Sequence, residues 1–553
     1  MAVSATSSST TTTSSVSSVT GLDYDALVAS VVAAKEAPAD SIDVQIDENT
    51  AKIGAYQELQ SLLDTLTDAA NVLRVPEGYS SGSEDLFEGR TAYLSGASSP
   101  GDYLGVTVDD GTDVGAHTVE IEQIATAHKV MSSAQTDRTS ALGLSGSFSI
   151  GLADGTQQSI SVSSTSTLND IASAINASSA ASGVSANVLK VSGSDYRLVL
   201  TATATGRDIT IGNDDSGILQ ALGVIGSDGT MANTLAEARD AVIIVDGLEI
   251  TRASNTIDDV LDGVTLELYA AQPGTTLTLE VDEDLAGIKD GITALVDAYN
   301  GVRDFILTQQ ATTSSSTASS DAVLFADSLV RQISTALSTA LNQRDGTVSL
   351  STFGITFDSD NTLLLDEDTL NAALSTDLDS VKSLFGFDFS SSSTHLQLLR
   401  RPASLQITSF TMDIAVDGTG AVTAVSVGGD SSKFTVSGTR IIGATGTEFE
   451  GLTFVYTGSG GAVSVEMSSG IAELLYQTAY RASNTSDGSL QKQIASLTSY
   501  NTTLESRASD IRTKAEEYGE NLRSYYARLE ASAQAAKLLL KQLQAASGSS
   551  DDD

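Results

Sequence analysis

The chain has 553 residues and carries 71 acidic against 29 basic side chains, which gives a formal net charge of −42. This charge repels phosphate backbones and anionic lipid, so the sequence excludes nucleic-acid binding and membrane adsorption, and no apolar run approaches the ~20 residues of a spanning helix. Because the chain has no cysteine, it cannot form disulfides, zinc thiolate sites or a thiol nucleophile.

The length predicts several packed domains. Only 5% of the residues are aromatic and none is Trp, so the cores must be built mainly from Ala, Leu, Ile and Val. Such cores suit long helices and plain β-domains better than aromatic-lined ligand pockets. The acidity is also typical of a salt-adapted surface, and composition does not separate that interpretation from function.

Residues 1–19 are almost all Ala, Ser, Thr and Val, which predicts a disordered leader. The leader has neither the basic start nor the apolar centre of a signal peptide. Taken alone this suggests a cytoplasmic protein, but a polar leader also fits export through a dedicated secretion channel.

Residues 20–85 predict N-terminal stalk helices. Tyr24, Leu27 and Val28 share one helical face, and Pro38 is expected to interrupt the helix. The second helix carries a stripe in four-three spacing up to Pro76: Ile42, Ile46, Ile53, Tyr56, Leu63, Leu66, Ala70 and Leu73.

Short alternating strands with Gly, Asp and Ser turns then predict antiparallel β-domains. We expect one domain from 86–130 with 238–283, and a second inserted at 131–237. One helix interrupts the strands, STLNDIASAINAS. Ser166 or Thr167 can cap it, and its buried stripe is Leu168, Ile171 and Ile175.

Residues 284–390 predict a helical domain with a small β element. Its first helix has heptad spacing at Ile288, Ile292, Leu295, Tyr299, Val302 and Ile306. A further helix is expected at 321–342, and 391–470 is β-patterned as a separate inserted domain.

Residues 471–547 predict a C-terminal coiled-coil helix, followed by a disordered acidic tail at 548–553. Steps of four and three continue unbroken through Leu490, Ile494, Leu497, Asn501, Leu504, Ala508, Ile511, Ala515, Tyr518, Leu522, Tyr525, Leu529, Ser532, Ala536, Leu539 and Leu543. An ordinary bundle helix also fits this spacing, but the N-terminal stripe offers a partner. The predicted fold class is therefore an α+β multidomain protein, with antiparallel β-rich domains inserted into a long coiled-coil stalk formed by both chain ends.

No motif requires catalysis, a metal or a cofactor, so we expect a protein that is not an enzyme. His117, His128 and His395 have no metal-ligand spacing. The acidic run at 358–368 lacks the calcium-loop Gly, and Thr369 stands where the closing Glu would be. Nucleophile elbows, P-loops and dinucleotide fingerprints are also absent from the sequence.

Several segments resemble the bacterial flagellar filament cap family, also called the flagellar hook-associated protein 2 family. The opening GLDYDALVASVVAAKEAP looks like the family's start, and STLNDIASAINAS with the strands after it is similar to a repeat shared with flagellins and other hook-associated proteins. Greater specificity comes from 241–271 with its RASNTI segment, from LVDAYNGV at 295–302, and from FGITFDSDNTLLLDEDTLNAALSTDLDSVKSLFG. The family's Gly-Asp before the helix at 328 is Ala326-Asp327 here.

This resemblance implies a secreted, extracellular structural protein that caps the filament tip, retains exported flagellin and promotes its polymerisation. It implies a homo-oligomer of four to six subunits. The implied partners are flagellin, hook–filament junction proteins and an export chaperone, and a role in contacting surfaces as an adhesin is also expected. The alternatives are another flagellar axial protein, either a junction protein or a flagellin, and an extracellular surface adhesin.

The candidate functional residues are those expected to form the coiled-coil and oligomer interface. They are Leu490, Ile494, Leu497, Leu504, Ile511, Tyr518, Leu522, Tyr525, Leu529, Leu539 and Leu543 near the C-terminus, with Ile42, Ile46, Ile53, Leu63 and Leu66 near the N-terminus.

Overall fold

The computed structural model describes residues 21–74, 85–153, 155–344, 347–402 and 407–547. The predicted leader and acidic tail lie outside these ranges. The chain divides into two compact units. The central unit is Glu84–Gly291, and the terminal unit joins Met1–Ser83 with Ile292–Asp553.

The first helix, α1 (Tyr24–Asn71), continues through Pro38. The expected interruption, and with it the division into two N-terminal helices, is therefore wrong. Proline lacks the N–H that would donate to the carbonyl of Ala34. Both residues are exposed, so water can reach that carbonyl. Asp23 caps the helix by accepting the N–H of Ala26 at 3.0 Å.

The central unit is built from antiparallel strands and three short helices. The strands are β1 (Arg90–Ser95), β2 (Leu104–Val108), β3 (Gly115–Gln123), β4 (Lys129–Met131), β5 (Gly146–Leu152), β6 (Gln158–Val162), β7 (Val184–Ser192), β8 (Asp195–Ala202), β9 (Ile209–Gly212), β10 (Thr234–Ala236), β11 (Ala241–Val245), β12 (Leu248–Arg252), β13 (Thr256–Leu261), β14 (Val264–Leu268) and β15 (Thr276–Glu283). The helices are α2 (Leu168–Ala177), α3 (Ser179–Ser182) and α4 (Ile218–Ala221), with 3₁₀ turns at Leu86–Glu88 and Pro100–Asp102.

Two separate cores lie in this unit. Sheets of order β1-β15-β3-β11-β12 and β13-β14-β2 enclose apolar side chains from 104–125 and 241–281. Sheets of order β10-β4-β8-β7 and β6-β5-β9 enclose a second core from 130–224, to which α2 contributes. Thr167 caps α2 in a capping box with Asp170.

Three asparagine side chains each form hydrogen bonds with both backbone groups of one residue, as a neighbouring strand would. Asn176 bonds the N–H and carbonyl of Ala186, each at 2.8 Å. Asn255 does the same to Ala125 at 2.6 and 2.9 Å, and Asn300 to Leu363 at 2.8 and 2.9 Å.

These asparagines lie in the AINAS, RASNTI and DAYNGV segments of the sequence. A carboxamide offers one donor and one acceptor in the same geometry as a peptide unit. The resemblance at these segments therefore has a physical basis in the pairing of backbone groups by asparagine side chains.

The chain passes into the terminal unit within α5 (Leu285–Gln310). The elements that follow are α6 (Ser328–Leu341), a 3₁₀ turn at Leu350–Phe353, β16 (Ile355–Phe357), β17 (Leu363–Leu365), α7 (Glu367–Thr376), α8 (Leu378–Phe385), β18 (Phe387–Ser391), β19 (Leu396–Arg400), β20 (Ser409–Val416), β21 (Val422–Val427), β22 (Phe434–Ser437), β23 (Arg440–Gly443), β24 (Thr453–Tyr456), β25 (Gly461–Ser469), α9 (Ile471–Ser483) and α10 (Ser489–Ser547). All six heptad residues predicted in α5 are buried.

Strands β18 to β25 form two antiparallel sheets of order β18-β25-β20-β21 and β19-β24-β23-β22. Their shared core contains the packed rings of Phe410, Phe434, Phe449 and Phe454. The two ends of this segment meet, because a Cβ added at Gly470 would collide with the carbonyls of Phe385 and Gly386.

Helix α6 begins at Ser328 rather than at 321, because Asp327 caps it. The Asp327 carboxylate accepts the N–H of Leu329 and Val330 at 2.9 and 3.0 Å, and its second oxygen accepts the Tyr56 hydroxyl at 2.7 Å. Burial and the adjacent carboxylate raise the pKa of Tyr56, so it remains a donor. The preceding Ala326 has φ +58°, a conformation that suits the glycine of the resembled family.

We predict that Ala326→Gly stabilises the terminal unit. The left-handed conformation costs an L-residue about 1–2 kcal/mol, whereas glycine loses about 0.5–1 kcal/mol more backbone entropy on folding. The urea midpoint followed by far-UV circular dichroism should rise. The control is Ala336→Gly on the exposed face of α6. This change should lower the urea midpoint, because glycine has a lower helix propensity than alanine. An unchanged or lower midpoint for Ala326→Gly would contradict the strain assigned to this position.

Candidate assembly interface

The first and last helices of the described chain pack against each other in antiparallel orientation. The rings of Tyr24 and Tyr526 stack with centroids 4.7 Å apart, and Nζ of Lys35 lies 4.3 Å from the centre of the Tyr518 ring. Farther along α1, Asn49 donates to Asn501 at 2.8 Å. A small apolar cluster of Ala39, Ile42, Leu504 and Ala508 lies between these contacts.

Charge also favours this pairing. Helix α1 has nine acidic and two basic side chains, whereas α10 has eight basic and six acidic ones. Arg512 forms ion pairs with Asp40 and Asp43 across the two helices. These groups are partly exposed, so each pair contributes at most about 1 kcal/mol.

The structure separates the predicted interface residues into three groups. Buried are Leu490, Ile494, Leu504, Ile42, Leu63 and Leu66. Half-buried are Leu497, Ile511, Leu522, Ile46 and Ile53. Exposed are Tyr518, Tyr525, Leu529, Leu539 and Leu543.

Beyond Ala515, Leu522 is the one member of the predicted stripe that is not exposed in the described part of α10. Gly519 is buried and Leu522 and Tyr526 are half-buried, while the heptad positions Tyr518 and Tyr525 are exposed. A straight α-helix turns every 3.6 residues, so a 3.5-residue repeat drifts by ~20° per heptad. The spacing alone therefore could not show which stripe residues face α1.

Gly519 packs directly against Val32 of α1. A Cβ at this position would lie 2.6 Å from Cγ2 of Val32. Valine is β-branched and stiff at χ1, so it cannot easily move aside. Glycine is otherwise unfavourable within a helix, and this contact explains its presence.

We predict that Gly519→Ala weakens the α1–α10 contact, because overpacking costs about 1–3 kcal/mol and exceeds the ~1 kcal/mol gained in helix propensity. The matched control is Gly54→Ala in α1, where no heavy atom lies within 4 Å of the new Cβ. Thermal melting followed by circular dichroism should show a lower midpoint for Gly519→Ala and a higher one for Gly54→Ala. Two increases would refute the steric role of Gly519.

Asn501 is a buried polar residue in the same helix pair. Besides accepting from Asn49, it donates to Oγ1 of Thr50 at 3.3 Å and to the carbonyl of Ile46 at 3.4 Å. Any axial shift of one helix would leave this buried amide without partners. Asn501 therefore fixes the register of α10 on α1.

Sequence analysis missed a buried ionic cluster that joins α9 to the residues just after α1 and just after β19. The Glu473 carboxylate is only 1% exposed and accepts from Arg401 at 2.9 Å and from Arg74 at 3.4 Å. Gln477 donates to its other oxygen at 3.0 Å, and the Arg401 guanidinium lies 4.5 Å from the centre of the Phe387 ring. No sequence signal connects these distant residues, since each is an ordinary charge in its own segment.

His128, Asp208 and Glu237 form a group whose side chains could hold a metal ion. His128 is buried, and its Nδ1 accepts the N–H of Ile209 at 2.9 Å while lying 3.2 Å from Asp208. The Nδ1 lone pair is thus already occupied by a backbone donor, which makes this nitrogen a poor metal ligand.

In the acidic run at 358–368, backbone N–H groups donate hydrogen bonds to the carboxylates of Asp358 and Asp366. Asp358 accepts the N–H of Asp360 and Thr362 in the turn between β16 and β17. Asp366 caps α7, and its bonds to the hydroxyl and N–H of Thr369 lower its pKa. These carboxylates order the turn and the helix end.

A sequence model described as the flagellar hook-associated protein 2 C-terminus matches residues 238–537. The chain belongs to the flagellar hook-associated protein 2 family. The N-terminal model of that family matches residues 20–128, and the flagellin hook IN motif matches residues 147–204. No helix within the described ranges is long and apolar enough to span a membrane.

Relatives of this family align over most of their length. The B-type flagellar hook-associated protein 2 of Pseudomonas aeruginosa is 30% identical over 394 residues, covering 67% of this chain and 80% of that protein. The flagellar hook-associated protein 2 of Escherichia coli K12 is 30% identical over 387 residues, covering 66% and 78%. A crystal structure of the flagellar cap protein FliD D1-D2-D3 domains from Escherichia coli has 28% identity and a TM-score of 0.47, covering 60% of this chain and 90% of that one.

The flagellar hook-associated protein 2 family is a family of structural flagellar cap proteins. The resemblance found in the sequence and the filament-capping function it implied are therefore confirmed.

Proposed function

We propose that the chain caps the filament as a homo-oligomer held by a coiled-coil stalk, which the two chain ends form together. The observation that carries the proposal is the antiparallel packing of α1 on α10, with an exposed apolar stripe left on α10. At ~1.5 Å per residue, the 59 residues of α10 extend for about 90 Å. A helix of this length with apolar residues on more than one side requires partners.

The cap retains exported flagellin beneath it and promotes its polymerisation, and it acts outside the cell at the filament tip. Four to six subunits, hook–filament junction proteins and an export chaperone complete the proposal. These finer features rest on family membership.

We also propose the domain boundaries drawn from the sequence: 86–130 with 238–283, 131–237, 284–390 and 391–470. Three separate apolar clusters support the β-domain boundaries. They are formed by residues of 104–125 with 241–281, of 130–224 and of 387–467. Strand β18 begins at Phe387 and pairs with β25. The last of these domains therefore begins a few residues before 391.

We predict that deletion of residues 485–553 abolishes capping, because α1 loses the helix that covers Ile42 and Ala39 and the stripe of α10 is removed. The variant should fail to restore filament growth to a cap-deficient strain, while the β-domains stay resistant to protease. The control lacks only 548–553 and should restore growth. Filament growth with the longer deletion would refute the stalk.

We predict that the β-domain of residues 387–469 is dispensable for oligomerisation, since its ends meet at Gly386 and Gly470 and its core is its own. A short Gly/Ser linker can replace it. The replacement removes Arg401 and leaves Arg74 as the basic partner of the Glu473 carboxylate. A buried charge that loses every partner costs about 3–5 kcal/mol, so the loss here should be smaller.

The matched variant therefore combines the linker with Glu473→Gln. Light scattering should give the oligomer mass for this variant, with lower stability when Glu473 is retained. Attachment to surfaces should change in both, if the domain acts as an adhesin. Loss of the oligomer in both variants would show that this domain supplies a subunit contact.

A further inference from the structure

His128 lies where the chain passes from one β-domain of the central unit to the other. Ala125 belongs to the core of residues 104–125 and 241–281, whereas Val130 belongs to the core of residues 130–224. The His128 side chain between them is only 4% exposed. A change in the hydrogen bonds of this ring therefore acts at the connection between the two domains.

The turn of residues 203–208, which we call the docking turn, also joins these two domains. It follows β8 of the inserted domain. Thr205 Oγ1 donates to the carbonyl of Ala253 at 2.6 Å, and the N–H of Gly206 donates to the carbonyl of Thr126 at 3.1 Å. Gly206 has φ +68°, and a Cβ there would lie 2.8 Å from Cα of Ala253. The docking turn is thus in direct contact with the other domain.

Two groups at the end of the docking turn compete for Nδ1 of His128. The backbone N–H of Ile209 donates to this nitrogen at 2.9 Å, and a carboxylate oxygen of Asp208 lies 3.2 Å from it. Unprotonated Nδ1 accepts from Ile209 but has no proton to donate to Asp208. Protonated Nδ1 donates to Asp208, and its proton then opposes the N–H of Ile209. The two hydrogen bonds therefore exclude each other.

Each protonation state of the ring has one advantage and one disadvantage. The neutral ring carries its proton on Nε2, which is buried and has no hydrogen-bond partner among the described residues, and such a donor is unfavourable. The protonated ring gains anionic neighbours, since carboxylate oxygens of Asp208 and Glu237 and a ring nitrogen of His128 all lie within 4.8 Å of one another. Protonation loses the bond from Ile209 in exchange. Two states balanced in this way are the requirement for a switch.

Other charged side chains lie on the segments that meet at the ring. Lys129, Arg207 and Arg239 oppose an added positive charge, and Asp240 favours it. The three basic side chains are exposed, so salt and water screen their effect on the buried ring. The nearby carboxylates of Asp208 and Glu237 therefore act most strongly on the ring.

We infer that His128 is a pH-sensitive latch between the two β-domains of the central unit. The neutral ring holds the N–H of Ile209, the first residue of β9, and with it the end of the docking turn. Acidification moves Nδ1 from Ile209 to Asp208 and loosens the docking turn from the other domain. Imidazole titrates between pH 5 and 8, so the change falls in that interval. The inference is independent of the proposed capping function.

Hydrogen–deuterium exchange of the full-length chain at pH 8 and pH 5.5 tests the latch, with EDTA present to remove metal ions. Exchange times are scaled for the intrinsic pH dependence of amide exchange. The peptide of residues 203–212 should exchange several-fold faster at pH 5.5, whereas β8 stays protected. Equal scaled exchange of this peptide at both pH values would overturn the latch.

The variant His128→Asn separates the hydrogen bond from the proton. The asparagine Oδ1 lies close to the position of Nδ1 and can accept the N–H of Ile209, but it does not titrate. The difference between the two pH values should therefore disappear. It should persist in the control His117→Asn, which removes a partly exposed histidine of the same unit. A pH response that survives in His128→Asn would contradict the assignment to His128.

The variant Asp208→Asn decides the case in which His128→Asn unfolds the domain, which loss of protection in β8 would reveal. The Asp208 side chain is 61% exposed, and asparagine keeps its size but removes the charge that favours the protonated ring. The faster exchange of residues 203–212 at pH 5.5 should be reduced several-fold. An unchanged pH response in this variant would assign the response to another group and overturn the proposal.

Discussion

The apolar residues Ala39 and Ile42 of α1 are covered by Leu504 and Ala508, which come from the far end of the chain. Asn49 and Asn501, which bond directly, are 452 positions apart, and everything between them must fold into units that allow these two residues to meet. The contact is modest in apolar area, with four buried residues in its small cluster. Its specificity comes from a buried amide, a glycine that admits Val32 and acidic side chains facing a basic helix.

The β-rich parts depend on a different constraint, which is the satisfaction of isolated backbone groups. An N–H and a carbonyl that face away from the neighbouring strands and stay unpaired inside a domain cost about 1–3 kcal/mol each. Asn176, Asn255 and Asn300 remove that cost with one side chain each. The ionic cluster around Glu473 meets a comparable demand for charge, because the carboxylate is buried where helices and the β-domain come together.

Much of this fold follows from local pattern. Period-two segments became strands, the capped STLNDIASAINAS segment became α2, and all six heptad positions of α5 are buried. Prediction failed where the outcome depended on exposure or on distant partners. Pro38 does not break α1 because the carbonyl it deprives of a donor faces water. The stripe of α10 identified a long amphipathic helix, but its drift relative to the true helical turn decided that Tyr525 and Leu529 are exposed while Leu504 is buried.

The sequence distance between α1 and α10 also governs the order of folding. The β-domains close through contacts between nearby strands, so they can form while the rest of the chain is still being delivered. Helix α1 emerges first from a ribosome or a secretion channel but meets its partner last, after residues beyond 500 have followed. Until then its acidic, weakly apolar surface stays hydrated, and the chain remains open at both ends. Pairing of α1 with α10 therefore requires that the residues between them have already been delivered.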